Sequence, residues 1–320
     1  MKSLIAIAVS MAAWLVLPGI ASAQKSAAEQ CSLALVSHVA LGRQNVCDGE
    51  IVREMARRGH VFEQNQMGIA SMLAIGPDYS DQDALLWFQR AARRGYAPAQ
   101  VNLAVMYMNG WTTAVNYGAA LHWFHEAAAQ GFPRAYYNLG ILFLNGWGVA
   151  QDYKEAFYWF ERGAKASDSS AETNLGYLYD QGFGCDHNPA AAVTWYRKAA
   201  DAGNPMAEHN LGDMYLHGDG VAPNDAEAFR WFQKASAGGS AAARVKLGYM
   251  YSGGLGVAKD PETAYMWTLS AALAGDHRGD DLKSQLEGRL TPPQIAEARE
   301  RALAMSEQSQ PQTARNSFVP

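Results

Sequence analysis

Basic charge is scarce in this chain. Of its 320 residues, 26 are Lys or Arg against 31 Asp or Glu, a formal net charge of -5. Phosphate-backbone affinity comes from clustered Lys and Arg, so no nucleic-acid partner is expected. Long apolar runs are also scarce. The chief one follows Lys2 in MKSLIAIAVSMAAWLVLPGIASAQ and ends in the small residues Ala21-Ser22-Ala23. A positive residue, an apolar run and an A-x-A site in that order read as a secretory signal peptide, with cleavage expected before Gln24. Pro18 and Gly19 break the run early, and no lipid-accepting cysteine stands at the cleavage point, which argues against an anchor. No later stretch approaches the ~18 to 20 apolar residues that a span requires. The expected product is therefore periplasmic or secreted, soluble, and without stable membrane insertion. Cysteine is the third shortage, with 3 in the whole chain. Cys31 and Cys47 flank a short segment with Gly42 near its middle and are predicted to pair in an oxidising compartment, a closure worth roughly 3 kcal/mol in the chain-entropy model. Cys185 is left over.

Glycine, by contrast, is plentiful and patterned. NGWGVAQDYKEAFYW, residues 145–159, sets a Gly-x-Gly loop before a helix start, an arrangement able to hold a phosphate on backbone N–H groups. A phosphate loop would be singular, would follow a strand and would usually bring a lysine or a third glycine. This loop recurs instead. Trp87, Trp123, Trp159, Trp195, Trp231 and Trp267 lie 36 residues apart at every step, and the same interval carries Leu103 to Leu247 and Gly110 to Gly254. A fixed period of this length marks one supersecondary unit repeated.

Each unit reads as two helices. In NLGILFLNG, Leu139, Leu142 and Phe143 form one stripe that Gly146 ends; after the loop, Ala156, Trp159, Phe160 and Gly163 repeat the spacing that buries one face of a second helix. Ser80, Asn116, Asp152, Asn188, Asn224 and Asp260 stand at the start of that second helix, and all are strong N-cap residues. Glu155 and Glu227 sit where they would complete capping boxes, and Pro189 and Pro261 take the first helical position. Gly95, Gly131, Gly203, Gly239 and Gly275 supply left-handed C-caps, with Ser167 breaking the series. The tryptophans read as core residues, at a cost of ~3 to 5 kcal/mol for truncating one such as Trp159.

The pattern in AYYNLGILFLNGWGVAQDYKEAFYWFERGA and in AEHNLGDMYLHGDGVAPNDAEAFRWFQKAS resembles the Sel-1-like repeat, a branch of the tetratricopeptide-type solenoids. The resemblance implies an all-α fold: a right-handed αα superhelical solenoid of six 36-residue repeats with N- and C-terminal capping helices. The implied layout is a signal peptide (1–23), N-terminal capping helices (24–61), six repeats (62–277), a closing helix (278–305) and a polar, disordered tail (306–320). Two loops depart from the pattern, AIGPDYS in the first unit and WTT in the second. Cys185 stands where Val149, Val221 and Val257 stand elsewhere, and so is expected to pack as a small apolar residue. Such solenoids bind proteins, and exported bacterial members act as adaptors, regulators or host-directed factors. Cysteine-rich exported relatives are linked to β-lactam hydrolysis, but the one Ser-x-x-Lys here, Ser22 to Lys25, straddles the cleavage site and KTG is absent.

Two candidate surfaces follow. The residue between the loop glycines is not needed by either helix stripe, and Trp111, Trp147 and Phe183 there would form an aromatic ridge or fold back on their own loops. The first helices carry Asn102, Asn138, Asn174 and Asn210 in register, and the positions three and seven residues on vary, as a tailored concave wall would. Tyr177, Asp213, His217 and Tyr249 are its preferred binding residues. Catalytic and cofactor signatures are lacking. His122 and His125 have no HExxH frame or Cys partner, so no metal site is expected, and His187, His209 and His217 read as surface histidines. The function expected is a protein-binding scaffold, for an envelope component or the periplasmic part of a membrane sensor. The alternatives are a secreted host-protein-binding factor and a β-lactam or cell-wall hydrolase.

Overall fold

The computed structural model describes residues 49–72, 80–111 and 114–309. The signal peptide, the Cys31–Cys47 pair, most of the first loop and nearly all of the tail lie outside the described residues. Those described form α1 (Gly49–Arg57), α2 (Val61–Met72), α3 (Asp81–Arg93), α4 (Ala97–Asn109), α5 (Tyr117–Ala129), α6 (Pro133–Asn145), α7 (Tyr153–Lys165) and α8 (Ser169–Gln181). There follow α9 (Pro189–Asp201), α10 (Pro205–His217), α11 (Asp225–Ala237), α12 (Ala241–Gly253), α13 (Pro261–Leu273), a 3-10 turn (His277–Gly279), α14 (Asp280–Glu287) and α15 (Pro292–Ser309). No strand occurs among the described residues.

Local chemistry fixes the helix ends. All six expected N-cap side chains accept a bond from a first-turn N–H, from Ser80 with Asp83 through Asp260 with Glu262 and Thr263. The reciprocal capping box forms at Ser80 and Asp83, not at Glu155 or Glu227. The Glu227 carboxylate pairs with Arg230 at 2.7 Å instead, an exchange available to any exposed acid with a base one turn on. At the C-terminal ends the five glycines have positive φ, and Ser167 takes the same left-handed conformation at φ 60°. The repeat geometry holds that corner even where the residue resists it.

The contacts divide the chain into residues 1–151 and 152–320. In the first unit each helix from α1 to α6 packs on the next; in the second the same holds from α7 to α14, with α15 closing on α13. In the first five repeats the most deeply buried ring is not the tryptophan but its C-terminal neighbour. Phe88, Phe124, Phe160 and Phe232 are fully buried and Tyr196 is 2% exposed, whereas the tryptophan one position earlier is half-buried in every repeat except at Trp231. One residue along a helix is a rotation of about 100°, enough to move a side chain from the seam to its edge. The seam itself is opened by glycine: a Cβ on Gly212 would stand 2.8 Å from the Phe232 ring, and one on Gly176 2.8 Å from that of Tyr196. Cations one turn on cover the tryptophan faces, Arg162 over Trp159 at 5.9 Å and Lys234 over Trp231 at 3.9 Å.

Burial therefore ranks the rings in an order that the period alone does not. Phe160→Ala should cost about 3 to 5 kcal/mol and Trp159→Ala clearly less, measured by chemical denaturation. A larger loss at Trp159 would contradict this packing.

Candidate docking surface

The Gly-x-Gly loops come first, since they are the motif with a possible ligand. The N–H groups of Gly146 and Trp147 both donate to the Leu142 carbonyl. The amides at Gly218 and Asp219 meet Met214, and those at Gly254 and Leu255 meet Met250. These donors close the preceding helix and are not turned to an anion. The second glycine lies against the first turn of an earlier helix: a Cβ on Gly184, Gly220 or Gly256 would overlap the backbone at Tyr153, Pro189 or Asp225.

The loop-tip aromatics share that role. Trp147 stacks on Tyr117, with centroids 5.9 Å apart and planes at 18°. Phe183 stacks on Tyr153 at 4.7 Å and 13°. Trp111 packs beside the cluster of Ile69, Phe88 and Leu103. All three are half-buried, while Asp219 and Leu255 at the same position are exposed. Trp147 and Phe183 thus pack on the first residue of an earlier helix, Tyr117 of α5 and Tyr153 of α7, and part of each ring stays at the surface. Cys185, beside this loop, is half-buried with its thiol 3.6 Å from the Leu178 carbonyl, and burial raises its pKa, reinforced by Asp186.

The wall residues lie on α8, α10 and α12. In the first unit the same register holds Val105 and Ile141, exposed by no more than 1%. In the second unit Tyr177 and Asp213 are half-buried and Tyr249 is 45% exposed. The Tyr177 ring meets Phe183 edge-on at 6.0 Å and 72°. Its hydroxyl pKa is raised by burial first and then by Tyr153 and Asp180, so it remains a donor at neutral pH. His217 is exposed, its Nδ1 2.9 Å from the Asp213 carbonyl oxygen. Asn102 bonds between helices, its amide donating to Asn65 at 3.0 Å, whereas Asn138 and Asn174 donate to carbonyls of their own helices.

Asp213 belongs to a cluster that its sequence neighbourhood does not announce. Lys246, from the next repeat, is 2.7 Å from its carboxylate and His209 is 3.4 Å away. His209 is not a surface histidine: its side chain is 13% exposed, and its ring lies 5.5 Å from Phe232. Lys246 takes the register position of Asn174 and Asn210, so the one signal in the sequence was a charge replacing an amide. Among the described residues no group of three His, Cys, Asp or Glu is placed to hold a metal. Nor is any of the described helices long and apolar enough to cross a membrane.

Comparison with known proteins decides the family. The Sel1 repeat model matches residues 64–96, 97–132, 133–168, 169–204, 205–240 and 241–276. The chain belongs to the Sel1 repeat family. It is similar in structure to a protective antigen of uropathogenic Escherichia coli displaying an SLR fold, with 28% identity and a TM-score of 0.76 over 92% of this chain and 64% of that one. It thus spans less than two thirds of that protein's length. A Sel1 repeat protein from Oxalobacter formigenes is 32% identical with a TM-score of 0.62, over 67% of this chain and 85% of that one. No curated protein matches the chain. Sel1 repeats are protein-interaction modules of the tetratricopeptide-like solenoid class, and the family is typically non-catalytic.

In this Sel1 chain the Asp213 cluster carries a pH signature. Burial depresses the His209 pKa below its ordinary 6.5; Asp213 and Asp276 oppose the shift, while Lys246 and Arg278 add to it. A depressed folded-state pKa means that the unfolded chain takes up the proton first as pH falls, so the contribution to stability is whole above about 6.5 and drains away on acidification. His209→Gln should flatten the fall in Tm between about pH 7.5 and about pH 5. An unaltered profile would contradict the neutral, buried imidazole.

Proposed function

We propose that this Sel1 repeat protein is exported and serves as an adaptor, binding an envelope protein or the periplasmic domain of a membrane sensor through the exposed face of α8, α10 and α12. One observation carries the reading. At a register position that the first unit fills with buried Val105 and Ile141, the second holds half-buried Tyr177 and Asp213 and the 45% exposed Tyr249. The fold does not require open tyrosines there. Tyrosine gives large contact area, few rotatable bonds and a polar end, which is why it is favoured at binding hot spots. The wall is held by helices, so a partner meets a preformed surface and little ordering cost opposes association. Asp213 arrives already neutralised by Lys246, leaving Tyr177, Tyr249 and His217 as the groups free to anchor a partner. Trp111, Trp147 and Phe183 contribute the exposed edges of their rings while their faces hold the loops.

The export step rests on the N-terminal signal signature. A second reading, attachment to host proteins outside the cell, draws support from the likeness to a protective antigen and uses the same signal. Fractionation of the producing cell separates the two, and a chain retained in the cytoplasm with residues 1–23 attached would contradict both.

Replacing Tyr177, His217 and Tyr249 together by Ala should lower partner capture, read by crosslinking and mass spectrometry, by about tenfold or more, as removal of central anchors does. Circular dichroism should match that of the parent chain, with Tm somewhat lowered because Tyr177 packs on Phe183 and the cluster around Tyr196. Unchanged capture by the folded variant would overturn the assignment of this wall.

A further inference from the structure

Asp213 stands between two bases of unequal depth, one from its own helix and one from the next repeat. Its Oδ1 is 2.7 Å from the Lys246 ammonium on α12, and its Oδ2 is 3.4 Å from Nε2 of His209 on α10. The His209 side chain is 13% exposed, and its buried Nδ1 has no hydrogen-bond partner among the described residues. Lys246 is 31% exposed, on a flexible four-carbon stem. The other elements around the imidazole bring few charges. From α11 comes the Phe232 ring, and from the 3-10 turn come Asp276 and Arg278. On α9 the buried Tyr196 feels Asp213, and burial first of all lifts its phenol well above 10, so it stays uncharged.

These depths decide what a proton does here. While the ring is neutral, Asp213 serves Lys246 and ties α10 to the following repeat. A protonated ring is a buried cation, costly unless it is paired. Asp276 is already engaged, because Arg278 donates to it through Nε at 2.9 and 3.2 Å. Asp213 is the carboxylate within reach. Lys246 can give it up, since its ammonium has a path into water that the imidazolium lacks. The deeper cation therefore keeps the carboxylate and the shallower one leaves. Lys246 lies three residues before Tyr249, on the same face of α12, and Tyr249 is 45% exposed. A released ammonium beside an open tyrosine suits a carboxylate on a partner. Burial is the main cause of the depressed His209 pKa, with Asp213 the chief opposing influence, so the exchange falls on the acid side of the ordinary imidazole value.

We propose that His209, Asp213 and Lys246 form a proton-operated latch: at neutral pH Asp213 holds Lys246, and on acidification it passes to the His209 imidazolium, freeing Lys246 for a carboxylate-bearing segment of the partner. One carboxylate against one ammonium becomes one carboxylate against two cations, and the wall gains a positive charge. The exchange stands on the geometry of the three side chains; its consequence for docking rests on the wall proposed for α8, α10 and α12.

The full processed chain is followed by NMR between about pH 7.5 and about pH 5, reading the His209 ring and the Lys246 ammonium. In the parent chain the Lys246 signal should shift with the midpoint of the His209 ring, a result that needs no variant. His209→Gln should hold the Lys246 signal still over the same range, and His217→Gln should leave the coupled shift in place. Partner capture by crosslinking should rise by about threefold or more on acidification, the size of one charge pair at a surface, and should rise less in His209→Gln. A ring that stays neutral down to the acid limit, a Lys246 signal that ignores the ring, or an equal shift in His209→Gln would each overturn the latch. So would an equal rise in capture for parent and His209→Gln when the Tyr177/His217/Tyr249 triple variant has lost capture. That triple variant separates the two proposals: the coupled shift should persist in it, whereas unchanged capture would overturn the wall and leave the exchange standing.

Discussion

Close approach of backbone to backbone at the second loop glycine is the constraint on which the array depends. Gly184 rests on the first turn of α7, Gly220 on that of α9 and Gly256 on that of α11, each where a Cβ would overlap main-chain atoms. The contact fixes how far one repeat sits from the next. Loop and helix start are held together a second time, since the N-cap amides of Asn188, Asn224 and Asp260 donate to the carbonyls of Tyr179, Tyr215 and Tyr251. With the loop amides also spent on the preceding helix, the Gly-x-Gly signature has a complete structural explanation.

The sequence displayed some of this openly and hid the rest for definite reasons. N-caps were legible at all six second helices, because a cap is a contract between a side chain and N–H groups two or three residues away. The left-handed corner at Ser167 was not legible: serine is an uncommon occupant of that conformation and read as a break in the glycine series, yet it adopts φ 60°. The relative depth of the rings was hidden, since Trp195 and Tyr196 are adjacent on the stripe and the choice depends on where the facing Gly176 falls. The surroundings of Asp213 were illegible, because Lys246 lies in the next repeat and only stacking brings the two together. The wall position was visible as variability; its opening from buried Val105 and Ile141 to exposed Tyr249 was not.

Function divides along the same lines. Positions that pack repeat on repeat are held nearly constant, and the chemistry that differs between repeats collects at two registers. One runs through half-buried Tyr177 and Asp213 to exposed Tyr249; the other runs through Glu172, Glu208 and Arg244 and is buried. A protein-binding Sel1 array can vary the first freely at little cost to stability. It can alter the second only by exchanging charges as pairs, because an uncompensated buried charge is expensive.

The central claim is that the glycines shape corners through close packing. The unfolding free energy of Gly220→Ala tests it most directly, because Asp219 and the loop amides are left unchanged. The account predicts a loss of about 2 kcal/mol or more, combining an overlapping methyl group with a residue forced to positive φ. Stability equal to the parent's would contradict it.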